Sequence, residues 1–150
     1  MSKLIVRPAT PDDCAELALT MREADRKEIA LAGSHGPYDA LMRGYVLSDA
    51  PQSVVAPDGS VVALGGVVRL TPGLGSPWLL GADALETIKW PFLRECRERL
   101  MALHQDYPLL YNEVWEGNRL HIRWLRWLGF TVGDAPSRRP HFLPFWKSHV

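Results

Sequence analysis

The sequence predicts a single α/β domain spanning residues 1–150, with a mixed central sheet and helices on both faces. The prediction rests on a sharply marked helix start at Thr10, a hairpin signal at Pro57–Ser60, and a helix–strand–helix–strand alternation through the C-terminal half. A chain of this length can bury roughly 70% of the surface it exposes when unfolded, so a full core is available.

Taken in order, Lys3–Arg7 reads as a first strand around the apolar run Leu4-Ile5-Val6, ended by Pro8. Thr10-Pro11-Asp12-Asp13 then supplies a hydroxyl N-cap, proline at the first helical position and acid in the first turn. Cys14, Leu17, Ala18 and Met21 follow at helical spacing. A second helix is expected over Arg22–Ala32, broken at Gly33, and a third over Asp39–Leu47. Ser53–Ala56 and Val61–Val68 are β-branched runs joined by Pro57-Asp58-Gly59-Ser60, which predicts a hairpin. Gly65-Gly66 inside the second run signals a bulge or a close backbone approach.

Trp78–Leu80 reads as a short strand, and Ala84–Gln105 as helical, with Leu93, Cys96, Leu100 and Leu103 on one stripe. Pro91 divides that stretch into a short helix or turn and a long helix. Leu109–Val114 is a strand, and Asn118 opens a last helix closed by Gly129 as a left-handed cap. Phe130–Val132 and His141–Trp146 form a closing strand pair around the turn Gly133–Arg139. The order is β-α-α-α-β-β-β-α-β-α-β-β.

Seventeen basic and seventeen acidic residues leave no net charge, which argues against a protein that coats nucleic acid or an anionic membrane. No run is apolar enough to span a bilayer, and the opening MSKLIVRPAT has neither a signal core nor a transit composition. Cys14 and Cys96 read as free thiols, and neither has metal-ligand spacing around it. A cytoplasmic location, or a particle assembled in a cytoplasm, is expected.

Val6-Arg7-Pro8-Ala9-Thr10-Pro11-Asp12-Asp13 and the segment from Asn118 to Leu128-Gly129-Phe130 resemble the GNAT superfamily of acyl-CoA N-acyltransferases. The resemblance implies a GNAT-like α/β fold and an acetyl-CoA site. The words Val114-Trp115-Glu116-Gly117-Asn118 and His121-Ile122-Arg123 further resemble GNAT-like internal virion proteins of short-tailed bacteriophages. That narrower resemblance implies a virion-associated or assembly protein, in a host cytoplasm or a virion.

Two positions depart from the GNAT pattern. The family's pyrophosphate loop places glycines directly before the long helix, so that free amides and the helix dipole meet phosphate. The nearest match, Arg69-Leu70-Thr71-Pro72-Gly73-Leu74-Gly75, has one residue too many, a proline without a donor, and a strand after it. It reads as a turn between strands. The tyrosine that the family uses as an acid falls at Leu125, which has no proton to donate.

If acetyl-CoA binds, the resemblance assigns it to Val68, Arg69, Gly73, Gly75 and Asn118; if the site is degenerate there is no cofactor. Glu113 is either a general base near the split in the sheet or an edge-strand acid facing solvent, and Tyr111 is a substitute acid or a packed aromatic. Tyr107 is a further substitute acid or a packed aromatic. Glu28 is a weaker candidate of the same kind as Glu113, and His35 is either a proton carrier or a surface loop histidine. His104 and His121 read as helix-surface residues. Arg119, Arg123 and Arg126 fall at i, i+4 and i+7, either a solvated basic face or a grip on phosphate or an acidic partner. With Trp115, Trp124 and Trp127 beside them, they point to a protein partner for the C-terminal half. Membrane and nucleic acid are not expected partners.

Overall fold

The computed structural model describes residues 4–149, so the Lys3 end of the first expected strand lies outside the described residues. The elements are β1 (Ile5–Pro8), α1 (Pro11–Thr20), α2 (Glu23–Leu31), α3 (Pro37–Leu47), β2 (Gln52–Val55), β3 (Val61–Thr71) and β4 (Leu74–Gly81). A 3-10 helix (Asp83–Ile88) follows, then α4 (Lys89–Leu103), β5 (Leu109–Trp115), α5 (Arg119–Trp127), β6 (Thr131–Val132) and β7 (Phe142–Ser148). The strands form one mixed seven-stranded sheet in the order β1-β2-β3-β4-β5-β7-β6. No helix among the described residues is long and apolar enough to cross a membrane.

Packing divides the chain into two compact units: residues 1–68 with 78–92, and residues 69–77 with 93–150. In the first unit, Cys14, Leu17, Leu41 and Leu64 are fully buried, with Met21, Val61, Leu80 and Ala82 around them. The expected N-cap is present as a reciprocal box: Asp13 N donates to Thr10 Oγ1 at 3.2 Å and Thr10 N donates to Asp13 Oδ2 at 3.0 Å. Asp13 also accepts two bonds from Arg7, at 2.7 and 3.0 Å, and one from Ser53 Oγ at 2.8 Å. Burial alone would raise this carboxyl, but the bonds from Arg7, Ser53 and Thr10 outweigh it and bring its pKa down to about 2.

The same unit fixes the end of β4. Gly81 N donates to Asp25 Oδ2 at 2.9 Å, Asp25 Oδ1 accepts from Arg22 Nη1 at 3.1 Å, and Arg22 N donates to Gly81 O at 2.8 Å. Ala82 N donates to Val62 O at 2.8 Å. Gly65 and Gly66 mark a close approach, since a Cβ would come within 3.0 Å of Trp78 O and 2.8 Å of Ser48 Oγ respectively. The β2–β3 irregularity lies instead at Val54/Val55.

In the second unit, Leu110 and Val114 of β5 are fully buried, joined in its core by Ile122, Trp124, Leu125, Phe130, Phe142 and Phe145. Phe130 meets Phe145 edge to face at 5.2 Å. β5 pairs antiparallel with β7 over its whole length, from Leu109↔Ser148 to Trp115↔Phe142. Gly129, at φ 98, closes α5 as expected.

Two expectations are corrected. β4 begins at Leu74, well before Trp78, because Pro72 and Gly73 (φ 84) complete a tight turn in two residues. His104 is not on a helix surface: it is 4% exposed, just beyond α4, its Nδ1 lies 3.0 Å from Tyr107 O, and its ring stacks on His149.

Candidate functional site

The site is built where β4 and β5 part company. They run parallel through Leu74↔Leu109 and Gly75↔Leu110. Leu109 N donates to Gly73 O at 3.2 Å, which turns the odd-numbered residues of this stretch of β4 toward β5. The next residue to face β5 is Pro77, and proline has no N–H to give the ladder. A side chain takes over: Asn112 Nδ2 donates to Pro77 O at 2.7 Å, and Asn112 Oδ1 accepts from Glu113 N at 2.7 Å. A carboxamide is thereby spliced between the two backbones and holds them wider apart than a direct amide–carbonyl bond would. Proline and asparagine are both depleted in strand interiors. Their occurrence inside two apolar runs is the one local trace of the split, and periodicity alone passes over it.

Glu113 lies next to the spliced amide, on the face of β5 shared with Tyr111 and Trp115 and opposite Pro144 of β7. Its side chain is half-buried, and Oε2 is inaccessible with no hydrogen-bond partner. A carboxylate oxygen in that condition has lost its water contacts without gaining a protein donor, a cost of about 1–3 kcal/mol. Tyr111 is half-buried on the same face, opposite Trp146.

Of the residues assigned to acetyl-CoA, Val68, Arg69, Gly73 and Gly75 lie along the β3–β4 connection and Asn118 lies at the entry to α5. Gly73 is in the tight turn and Gly75 is buried inside β4, paired with Leu110, so this segment is not a cradle placed before a helix. Arg69 lies over the ring of buried Tyr107 at 4.9 Å, which makes Tyr107 a packed aromatic. Val68 forms an isolated bridge with Ser48. Asn118 is fully buried at the entry to α5; its N–H donates to Trp115 O at 2.9 Å and its carbonyl accepts from Ile122 N at 3.1 Å. Leu125, at the family's acid position, is 5% exposed and belongs to the core.

The segment that does enter the long helix is Ala82 and the 3-10 helix. Leu85 N donates to Ala82 O at 3.0 Å, Lys89 already has helical backbone (φ −60, ψ −39), and Asp83 and Glu86 are exposed acids. Glycine is absent from it. Glu28 is half-buried in α2, and His35 is exposed in the loop before α3. Burial pushes the Cys96 thiol up to about 12 and raises Cys14 as well, so neither offers a thiolate near neutrality. Among the described residues, no cluster of His, Cys, Asp and Glu could hold a metal.

No protein-family model matches the chain, and a search of curated proteins finds no match. Solved structures do match it. A domain from Methanocaldococcus jannaschii superposes with a TM-score of 0.70 at 15% identity, covering 99% of this chain and 100% of that one. A GCN5-related N-acetyltransferase from Kribbella flavida gives 0.66 at 20% identity, over 97% and 98%. A GNAT phosphinothricin acetyltransferase from Sinorhizobium meliloti, solved in complex with AcCoA, gives 0.64 at 12% identity, over 99% and 89%. With this strand order and these likenesses along nearly its whole length, the chain has the α/β fold of the GNAT acetyltransferases.

Proposed function

We propose that this chain is a phage-type GNAT-fold protein that serves as a virion-associated or assembly component, in a host cytoplasm or virion, and does not transfer acetyl groups. The observation that carries the reading is the entry to α4. Where a phosphate cradle needs free amides and glycine, this chain has an internally bonded 3-10 turn with Asp83 and Glu86 exposed on it. Carboxylates at that point repel a diphosphate instead of attracting it. The end of β4 adds to this, because the amides of Gly81 and Ala82 are already taken by Asp25 and Val62. Leu125 removes the acid that would protonate a leaving thiolate. The phage assignment is supported by the Val-Trp-x-Gly-Asn and His-Ile-Arg words.

A second reading is favoured by one specific observation. The Pro77–Asn112 split and the unpartnered oxygen of Glu113 are what an acyl-CoA-dependent N-acetyltransferase with an altered cofactor loop would keep. In that case Glu113 takes the proton of a primary amine of a small molecule or protein, and the thiolate leaves without an acid.

Thiol release from acetyl-CoA, followed with a panel of primary amines, separates the two. The first reading predicts release no faster than the uncatalysed background. Turnover that disappears in Glu113→Gln would replace it with the second.

A further inference from the structure

We infer that the outer face of α5 is a docking groove for an acidic peptide segment of a partner protein, one that carries aliphatic side chains between its carboxylates. The groove measures about 430 Å³ and is lined by Arg119, Ile122, Arg123, Arg126 and Leu143. The three arginines are exposed, while Ile122 is buried and Leu143 half-buried, so cationic rims flank an aliphatic floor. Among the described residues, none of the three guanidinium groups has an acidic or hydrogen-bonding partner.

The charge of the chain is uneven in the same sense. Residues 117–150 carry Arg119, Arg123, Arg126, Arg138, Arg139 and Lys147 against Asp134 alone, a net +5. The whole chain is neutral, so residues 1–116 carry −5, with 11 basic and 16 acidic residues. The neutral total thus conceals a basic end that nothing on its own helix neutralises. Guanidinium forks bind carboxylate bidentately, and side chains one helical turn apart repeat every ~5.4 Å, within reach of successive acids on a peptide.

Nucleic acid fits this groove less well. A single strand needs flat aromatic faces on which bases stack. Here the floor is aliphatic, Trp124 is buried, and the Arg97 guanidinium lies over the Trp127 ring at 3.9 Å. The inference deepens the partner-binding part of the proposed function and rests on it. It does not depend on whether acetyl-CoA binds.

The test is fluorescence anisotropy of the full chain with a labelled peptide alternating Glu-Glu and Leu, a matched peptide with Ser for Leu, and an oligothymidylate. The alternating peptide should bind best, weaken as salt rises, and lose about tenfold or more in affinity in the triple variant Arg119→Gln, Arg123→Gln, Arg126→Gln. Leu143→Ser should weaken the Leu peptide and leave the Ser peptide unchanged, which keeps the floor testable if the triple variant melts early. Three results would overturn the inference: equal peptide binding by the triple variant, oligothymidylate bound as tightly as the peptide, or no peptide binding by the wild type. The last, together with absence of acetyl-CoA turnover, would remove the groove and leave the non-catalytic reading intact.

Discussion

Two carboxylates near strands of the same sheet have opposite surroundings. Asp13, at the start of α1, accepts bonds from Nη1 and Nη2 of Arg7, from Ser53 Oγ and from Thr10 N. Glu113, beside the β4–β5 split, keeps one buried oxygen with no partner at all. The first group is saturated and can do nothing but hold β1, α1 and β2 together. The second is held in place by its backbone with one side-chain oxygen left unsatisfied. One sheet can therefore hold a carboxylate whose bonding capacity is fully used at Asp13 and another with an unsatisfied oxygen at Glu113.

The largest effect that sharpens this contrast is expected at Asp13. Its pKa is about 2 in the fold against 3.8 ordinarily, so its contribution is complete above the ordinary value and is lost as pH falls from 4 toward 2. The shift corresponds to about 2 kcal/mol at neutral pH. Asp13→Asn should lower Tm by about 4–8 °C at neutral pH and flatten the acid limb of a Tm-against-pH curve. An unchanged limb would remove Asp13 from the account.

Next comes the spliced carboxamide. Asn112→Ala deletes both side-chain bonds of the splice and should cost about 1–2 kcal/mol, read as a Tm lower by about 2–6 °C. In the double variant Pro77→Val, Asn112→Val, the ladder can close, and the backbone amides at positions 77 and 113 should be protected in hydrogen exchange. Absence of that protection would show that the split has another cause.

The smallest effect is expected at Glu113. Because its buried oxygen has no partner, Glu113→Leu should leave Tm unchanged or slightly higher. A fall as large as that of Asp13→Asn would break the comparison, since it would mean that Glu113 is structural as well.

What is legible in the sequence follows from how local each feature is. The Thr10 cap and its box lie within four residues, and the Pro57–Ser60 hairpin within a few more, so both are written in adjacent letters. The Pro72-Gly73 turn is equally local, yet β4 reads as short because Gly75 and Pro77 are poor strand formers. The splice itself is not readable, because Asn112 finds Pro77 across 35 residues. Ser53 reaches Asp13 across 40. His104 reads as a surface residue because its burial involves His149 at the far end of the chain. Glu113 stands out in the sequence by its place just before the last helix. That its Oε2 is buried without a partner is set by the tertiary packing around β5, which sequence spacing does not reveal.

The most direct measurement is a calorimetric titration of the purified chain with acetyl-CoA. No specific heat at millimolar cofactor and no rise in Tm are predicted, because the entry to α4 carries the exposed acids Asp83 and Glu86 and no glycine. One-to-one binding in the micromolar range, with a matching rise in Tm, would contradict this and restore the acetyltransferase reading.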